Sequence, residues 1–231
     1  MTKGSFSMKS NKANINYFKK WEGLKTLGLG MLIAGFVGIW MTFSYFVYLA
    51  SIALLAAGVI LFLVGNIGRS TEAEITQEIK RRSDGIDFAE VETEHKFHKR
   101  VPDKQEILDF SGFSFAEDAL LKKMKNGSIC SSEYMAARML LLTDAFYVKT
   151  RKFSLISDAQ EEETFEIPFS AVEDVTVVRE SKTAVCGGKS FAVKVCHLVI
   201  AYGEGQKLCL PTPDDVYADQ LAERLKKLTR E

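Results

Sequence analysis

From Thr26 to Gly68 the chain contains no Asp, Glu, Lys, Arg or His. As one straight helix these 43 residues would reach about 64 Å, roughly twice the hydrocarbon thickness of a bilayer. Two helices of about 20 residues each fit instead. The aliphatic run is interrupted at "MTFSYF", Met41 to Phe46, by Thr42 and Ser44. The expected spans are about 24–41 and 46–67, joined as a hairpin within residues 24–68.

Flanking residues support two membrane spans. Tyr17 and Trp21 precede the first helix, and Trp40, Tyr45 and Tyr48 gather at the proposed tip. Both tryptophans of the chain therefore fall where an amphipathic ring meets headgroups. Lys3, Lys9, Lys12, Lys19, Lys20 and Lys25 lie before the run, against Glu22 alone. Arg69, Lys80, Arg81 and Arg82 follow it, while the tip is uncharged. The positive-inside rule then puts both termini in the cytoplasm of a multi-pass membrane protein. The basic and apolar stretches are too long for a cleaved signal peptide. Thr2 stands where N-myristoylation needs glycine. Gly30, Ala34 and Gly38 recur every four residues in the first span, and Ala50, Ala53 and Ala57 give the second a small face. Such residues let membrane helices approach closely, either within the hairpin or between copies.

The texture changes after the second span. Residues 69–104 read as a juxtamembrane helix and a linker. Thr71 and Glu74 have capping-box spacing, and Ile75 and Ile79 share a helical face. Lys80, Arg81 and Arg82, with Lys19 and Lys20, are candidates for contact with anionic headgroups. "EHKFH" places Glu94, His95 and His98 close together, but without a fourth ligand no metal is expected. The segment from Asp84 to Gln105 reads as solvated linker.

From Gln105 onward β signals dominate. Strands are expected within "EILDFSGF" and over 134–142, 146–156, 164–168, 172–179, 191–202 and 207–210. "SFAEDALLKKMKNG" reads as a short helix or elaborated loop, with Lys122, Lys123 and Lys125 in its last turn. "DAQEEE" reads as a charged loop, and Gly187-Gly188 and Gly203–Gly205 as turns. A closing helix follows Asp214 or Asp215, with Val216, Leu221, Leu225 and Leu228 on one face. Seven strands and a terminal helix imply a mostly β, α+β soluble domain over 105–231: an antiparallel sandwich or partly open barrel capped by the helix.

Two stretches carry a family likeness. In "LLLTDAFYV" one strand ends in Leu-Thr-Asp and the next begins at once. In "FEIPFSAVEDV" Ile-Pro-Phe closes a strand, and Val172 and Val175 seed another. With the terminal helix, this region resembles the pleckstrin-homology (PH) superfold, specifically bacterial PH-like and GRAM-like membrane proteins, some with paired membrane helices upstream. The resemblance covers about 105–230. It implies a seven-stranded PH-like fold, a binding or scaffolding role and a bacterial plasma membrane. "SFAEDALLKKMKNG" is an insertion relative to that pattern.

Chemistry of other kinds is not signalled. Cys130, Cys186, Cys196 and Cys209 form no CxxC pair and read as reduced thiols. His197 adjoins Cys196, but strand neighbours point to opposite faces. No phosphate loop, HExxH or GxSxG is present. Thirty bases balance thirty acids, so no nucleic-acid partner is expected. No enzyme activity, cofactor or metal is expected; the partners are membrane lipid and a protein partner or further copies. Lys149 and Arg151 are candidate ligand contacts, sharing one face of a regular strand, with Lys122, Lys123 and Lys125 beside them. Lys152 points the other way. The expected role is a membrane-anchored module recruiting a protein or lipid headgroup; the alternative is an accessory subunit of a transport or secretion complex packing through Gly30, Ala34 and Gly38.

Overall fold

The computed structural model describes residues 3–19, 22–41, 44–66, 68–89, 91, 97, 100–101, 106–186, 189–203, 205–214 and 216–230. They form two compact units, Met1–Thr71 and Glu72–Glu231.

The first unit is helical. α1 spans Lys3–Phe18, α2 Glu22–Met41 and α3 Tyr45–Asn66. α1 occupies ground expected only as a basic segment. Its end is tied back to the chain after α3: Asn16 Nδ2 donates to Gly68 O at 3.0 Å, Ser70 N to Ala13 O at 3.2 Å, and Ser70 Oγ to Asn14 Oδ1. Gly68 has φ +76°, a left-handed conformation that favours glycine. α2 and α3 are each long and apolar enough to cross a membrane. Trp40, Tyr45 and Phe46 are exposed where α2 ends and α3 begins. Trp21, Thr42 and Ile67 lie outside the described residues.

α2 and α3 pack through glycines, on a different stripe from the one expected. A Cβ added at Gly28 would meet Phe62 N at 2.7 Å, one at Gly35 would meet Leu55 Cγ at 2.8 Å, and one at Gly58 would meet Leu32 N at 2.9 Å. Of the expected stripe only Gly38 faces α3, against Ser51. Gly30 has nothing within 4 Å, and Ala34 is exposed. Helical rotation of about 100° per residue explains this: positions 28 and 35 nearly eclipse, while position 30 lies on the opposite side. On α3 the contacts come from Ser51 and Gly58, and Ala50 and Ala53 face outward.

The second unit begins with α4 (Glu72–Ser83), as the capping spacing leads one to expect, and holds nine strands among the described residues. One antiparallel sheet has the order β1 (Ile107–Ser114), β4 (Glu133–Leu141), β5 (Ala145–Ser154), β6 (Gln160–Pro168). A second comprises β7 (Val172–Cys186), β8 (Lys189–Tyr202) and β9 (Gln206–Pro211). β2 (Leu121–Lys123) and β3 (Ile129–Ser131) make a separate hairpin, and α5 (Val216–Leu228) closes the chain. Inner faces of both sheets and α5 share one core, including Phe110, Met139, Phe146, Ile167, Leu198, Leu210 and Leu225. On α5 Ala218 and Ala222 join Leu221 and Leu225 in the buried stripe, whereas Val216 is exposed.

The layout of sheets followed by a helix matches the expectation, and three local readings are corrected. First, "SFAEDALLKKMKNG" forms no helix but a turn and the β2–β3 hairpin, which brings seven strands to nine. Asn-Gly is equally a helix stop and a hairpin turn. Here Gly127 sits at φ +90°, and Met124 N donates to Ser128 O at 2.8 Å across the turn. Packing decides for the hairpin, because Cys130 is buried on it and Cys186 Sγ donates to Leu121 O at 3.3 Å. Secondly, Gln160–Glu163 of the expected "DAQEEE" loop belongs to β6, with Glu161, Glu162 and Glu163 opposite Lys152, Arg151 and Thr150. Cross-strand opposite charges extend the ladder. Thirdly, part of the expected linker is packed: Ile86, Phe88, Val91 and Phe97 are buried. Phe88, Val91 and Phe97 lie against Leu140, Leu142, Ala145 and Tyr147, on the face of the first sheet turned away from the shared core. β4 and β5 are thus covered on both faces. That explains the unbroken apolar run Met139–Leu142, where a half-exposed strand would alternate.

Replacing Gly35 or Gly58 by leucine forces a side chain into backbone at under 3 Å. Overpacking of this kind costs about 1–3 kcal/mol. Thermal unfolding of the full chain in detergent is expected to shift down for Gly35→Leu and to stay unchanged for Gly30→Leu.

Candidate functional site

The basic residues singled out on β5 come together in the fold, and they meet the chain itself. β5 residues alternate in direction, so Lys149 and Arg151 leave the sheet on the face away from the core. Lys149 Nζ donates to Asp87 O at 2.6 Å. Arg151 donates through Nε to Glu162 Oε1 at 2.8 Å, through one terminal nitrogen to Gly85 O at 3.0 Å, and through the other to Arg82 O. Arg138, opposite Lys149 on β4, adds a bond to Ile86 O at 2.7 Å and one to Asp109 Oδ1 at 2.7 Å. The Phe88 ring is flanked by Arg138 and Lys149, each 5.9 Å from its centroid. Three cations therefore hold the carbonyls of Arg82, Gly85, Ile86 and Asp87, and two of them flank an aromatic ring. Lys152, on the other face, pairs with Glu163 at 3.4 Å.

Arg82 turns inward from the end of α4. Its side chain is 10% exposed, donates to Ser154 O at 2.8 Å and Ser157 O at 3.1 Å, and stands 5.7 Å from the Phe153 ring. Its guanidinium is therefore engaged by the fold. Arg81 is 70% exposed and pairs with Glu78 at 2.6 Å, and Lys80 is exposed. These arginines hold the Glu78 carboxyl below its ordinary range. Lys19 is exposed, and Lys20 lies outside the described residues. Arg100 bonds Asp144 at 2.7 Å and Glu166 at 2.6 Å, fastening the far end of the same segment.

Lys122, Lys123 and Lys125 lie on or beside β2 and not in a helix, so a helix dipole does not account for them. Lys123 and Lys125 are exposed. Lys123 Nζ is 5.3 Å from the Phe191 ring centroid, and Lys125 N donates to Glu72 Oε1 at 3.0 Å. They lie on the separate β2–β3 hairpin, whereas Lys149 and Arg151 lie on the four-stranded sheet.

A cleft lies between β1, β8 and the β2–β3 turn, lined by Gly112, Phe113, Ser128, Lys194, Cys196 and Pro211 among others. Lys194 and Cys196 are its only ionisable lining residues among those described. The four cysteines are free thiols. No group of three His, Cys, Asp or Glu able to hold a metal occurs among the described residues. Glu94, His95, His98, Gly187, Gly188 and Asp215 fall outside the described residues. Sequence reasoning missed Arg138 and Phe88. The available signal was the buried-looking "IDF" spacing, two apolar residues flanking one acid inside a charge-dense stretch. Comparison with protein-family models, curated proteins and solved structures finds no match.

Two expectations follow. Arg151→Met keeps the apolar stem and strands the Arg82 and Gly85 carbonyls, a loss of roughly 1–3 kcal/mol in chemical denaturation. Lys152→Met is expected to stay within about 0.5 kcal/mol. Burial, then the charge of Lys182, holds the His197 imidazole below its ordinary 6.5, partly offset by Glu180. A depressed folded value means that the stability is present above about pH 6.5 and is lost as pH falls through the folded value. The melting temperature should therefore drop from pH 7.5 to pH 6, and His197→Gln should flatten that drop.

Proposed function

We propose that this chain is a membrane-anchored, non-catalytic PH-like module that recruits or scaffolds partners at the cytoplasmic membrane face. α2 and α3 are read as two spans, with both termini cytoplasmic in a bacterial plasma membrane. A four-stranded antiparallel sheet, a three-stranded antiparallel sheet and a closing helix support that reading, and β2–β3 is read as an insertion after the first strand.

The observation that carries the reading is the fastening of α4. Ile75 is buried, Glu72 bonds Lys125 N, and Arg82 bonds the β5 end at Ser154 O. The chain that leaves the second apolar helix thus enters an element bound to the β domain, with residues 67–71 between. A long flexible tether would let a domain search widely; a short one restricts it to the membrane surface. Lys149 and Arg151 are engaged with backbone carbonyls, which argues for recruitment through surfaces other than that strand face.

A second reading rests on the outward stripe of α2. Gly30 and Ala34 face away from α3, on the side where a further membrane helix would approach closely. In that reading the chain is an accessory subunit of a larger membrane complex, such as one for transport or secretion.

The anchor is tested by alkaline washing of membranes and by reporters fused at both ends. Full retention with both reporters on the cytoplasmic side is expected. Release into the wash, or a reporter on the other side, counts against it. A photo-crosslinker at Ala34 separates the two roles. Homodimers or no adduct favour the self-contained module, and a single distinct membrane protein favours the subunit.

A further inference from the structure

The β2–β3 hairpin and the outer part of the β7–β8 hairpin carry charge of one sign only, with the exposed Glu180 just below the second. Between Ala119 and Ser132, and between Ser181 and Tyr202, there are six lysines and no Asp or Glu. They are Lys122, Lys123, Lys125, Lys182, Lys189 and Lys194. With thirty bases and thirty acids in the chain, the remainder has 24 bases against 30 acids. The segments are the β2–β3 hairpin and the outer part of the β7–β8 hairpin, where β8 has run past the end of its β9 partner at Pro211. They are neighbours, joined by the Cys186 Sγ bond to Leu121 O and the contact of Lys123 with Phe191. All but Lys122 of the six are exposed, and Val185 beside them is 63% exposed. Glu72 lies at this corner with its carboxylate accepting from Lys125 N, and Glu117 and Asp118 are exposed in the turn before β2.

Chain length limits how far this corner can stray from a bilayer. Residues 67–71 are all that separate Asn66, the last residue of α3, from Glu72, the first of α4. Six peptide steps extend at most about 20 Å. The β2–β3 turn belongs to the same unit as Glu72 and is bonded to it at Lys125 N.

We propose that this basic corner docks on the anionic headgroup surface of the membrane that carries α2 and α3. The inference rests on reading those helices as spans. The chemistry suits a charged surface more than a single bound phosphate. All the cations are lysines, which act as separate hydrated point charges, and none is an arginine with a fork for bidentate grip. They are spread over two tips and do not converge on an enclosed pocket. Each lysine near an anionic surface biases docking by roughly fivefold, and the attraction fades beyond about 10 Å at moderate salt. Val185 adds an apolar contact at headgroup depth.

The test uses the full chain reconstituted in lipid nanodiscs, either of phosphatidylcholine alone or with phosphatidylglycerol added, followed by amide hydrogen exchange. With the anionic lipid, exchange at 121–131 and at 189–196 is expected to slow by about fivefold or more. Raised salt or the triple change Lys123→Glu, Lys125→Glu, Lys189→Glu should remove the effect, while β4 and β5 amides stay unchanged as the control for folding. Identical exchange in both lipids overturns the proposal. So does protection produced by inorganic phosphate alone or only by an added acidic protein. Failure to co-elute with discs of either kind removes the two-helix anchor and the docking together, whereas co-elution with charge-independent exchange removes the docking alone.

Discussion

The β unit depends on the covering of the outer face of β4 and β5. A sheet face carrying Leu140, Leu142, Ala145 and Tyr147 cannot stay in water without large apolar exposure, and Phe88, Val91 and Phe97 bury it. Residues 84–88 of the covering segment have irregular backbone, so their carbonyls need donors. Arg138, Lys149 and Arg151 supply them from the strands beneath. Charged donors to backbone carbonyls are stronger than neutral ones, and here two of the cations, Arg138 and Lys149, flank an aromatic ring.

One consequence reaches α4. The carbonyls that Arg151 holds belong to Arg82 and Gly85, at and just after the end of that helix, and Arg82 itself reaches back to the end of β5. Helix, covering segment and sheet are therefore one fastened body. A twelve-residue helix such as α4 is marginal by itself. Ile75 and this hydrogen-bond set hold it through tertiary contact. The sheet face that looked available for a ligand is consumed in making that body rigid, which leaves the hairpin tips as the exposed basic surface.

The legible parts of the sequence were those whose signal is local. The charge-free run marks two apolar helices, because hydrocarbon tolerates no charge and helix length is set by rise per residue. Seven of the strands were legible from β-branched and aromatic runs bounded by turn residues. The closing helix was legible from its apolar stripe, apart from Val216. The "LLLTDAFYVKTRKF" stretch resolves into β4 and β5 joined at Thr143-Asp144, as the break in its pattern indicates. Asn126-Gly127 was ambiguous for a physical reason: the same left-handed glycine ends a helix or turns a hairpin, and only the contact of β2 with β7 distinguishes them.

What the sequence by itself determined is where charge can and cannot go: two charge-free helices, a β region, a terminal amphipathic helix and two lysine-only segments. What only the tertiary structure decided is which partners those groups find. Lys149 and Arg151 looked like an open patch because their backbone partners lie 62 to 69 residues away in the chain. Backbone carbonyls, moreover, leave no trace in residue identity. The α2–α3 interface was left open between two small-residue stripes on similar grounds. Small residues show that close approach is allowed, but the rotation of each helix about its axis, fixed by packing against its neighbour, selects Gly28 and Gly35 over Gly30 and Ala34. The lysine corner belongs to both sides: its charges are read from the sequence, and their meeting at one place comes from two hairpins packed side by side.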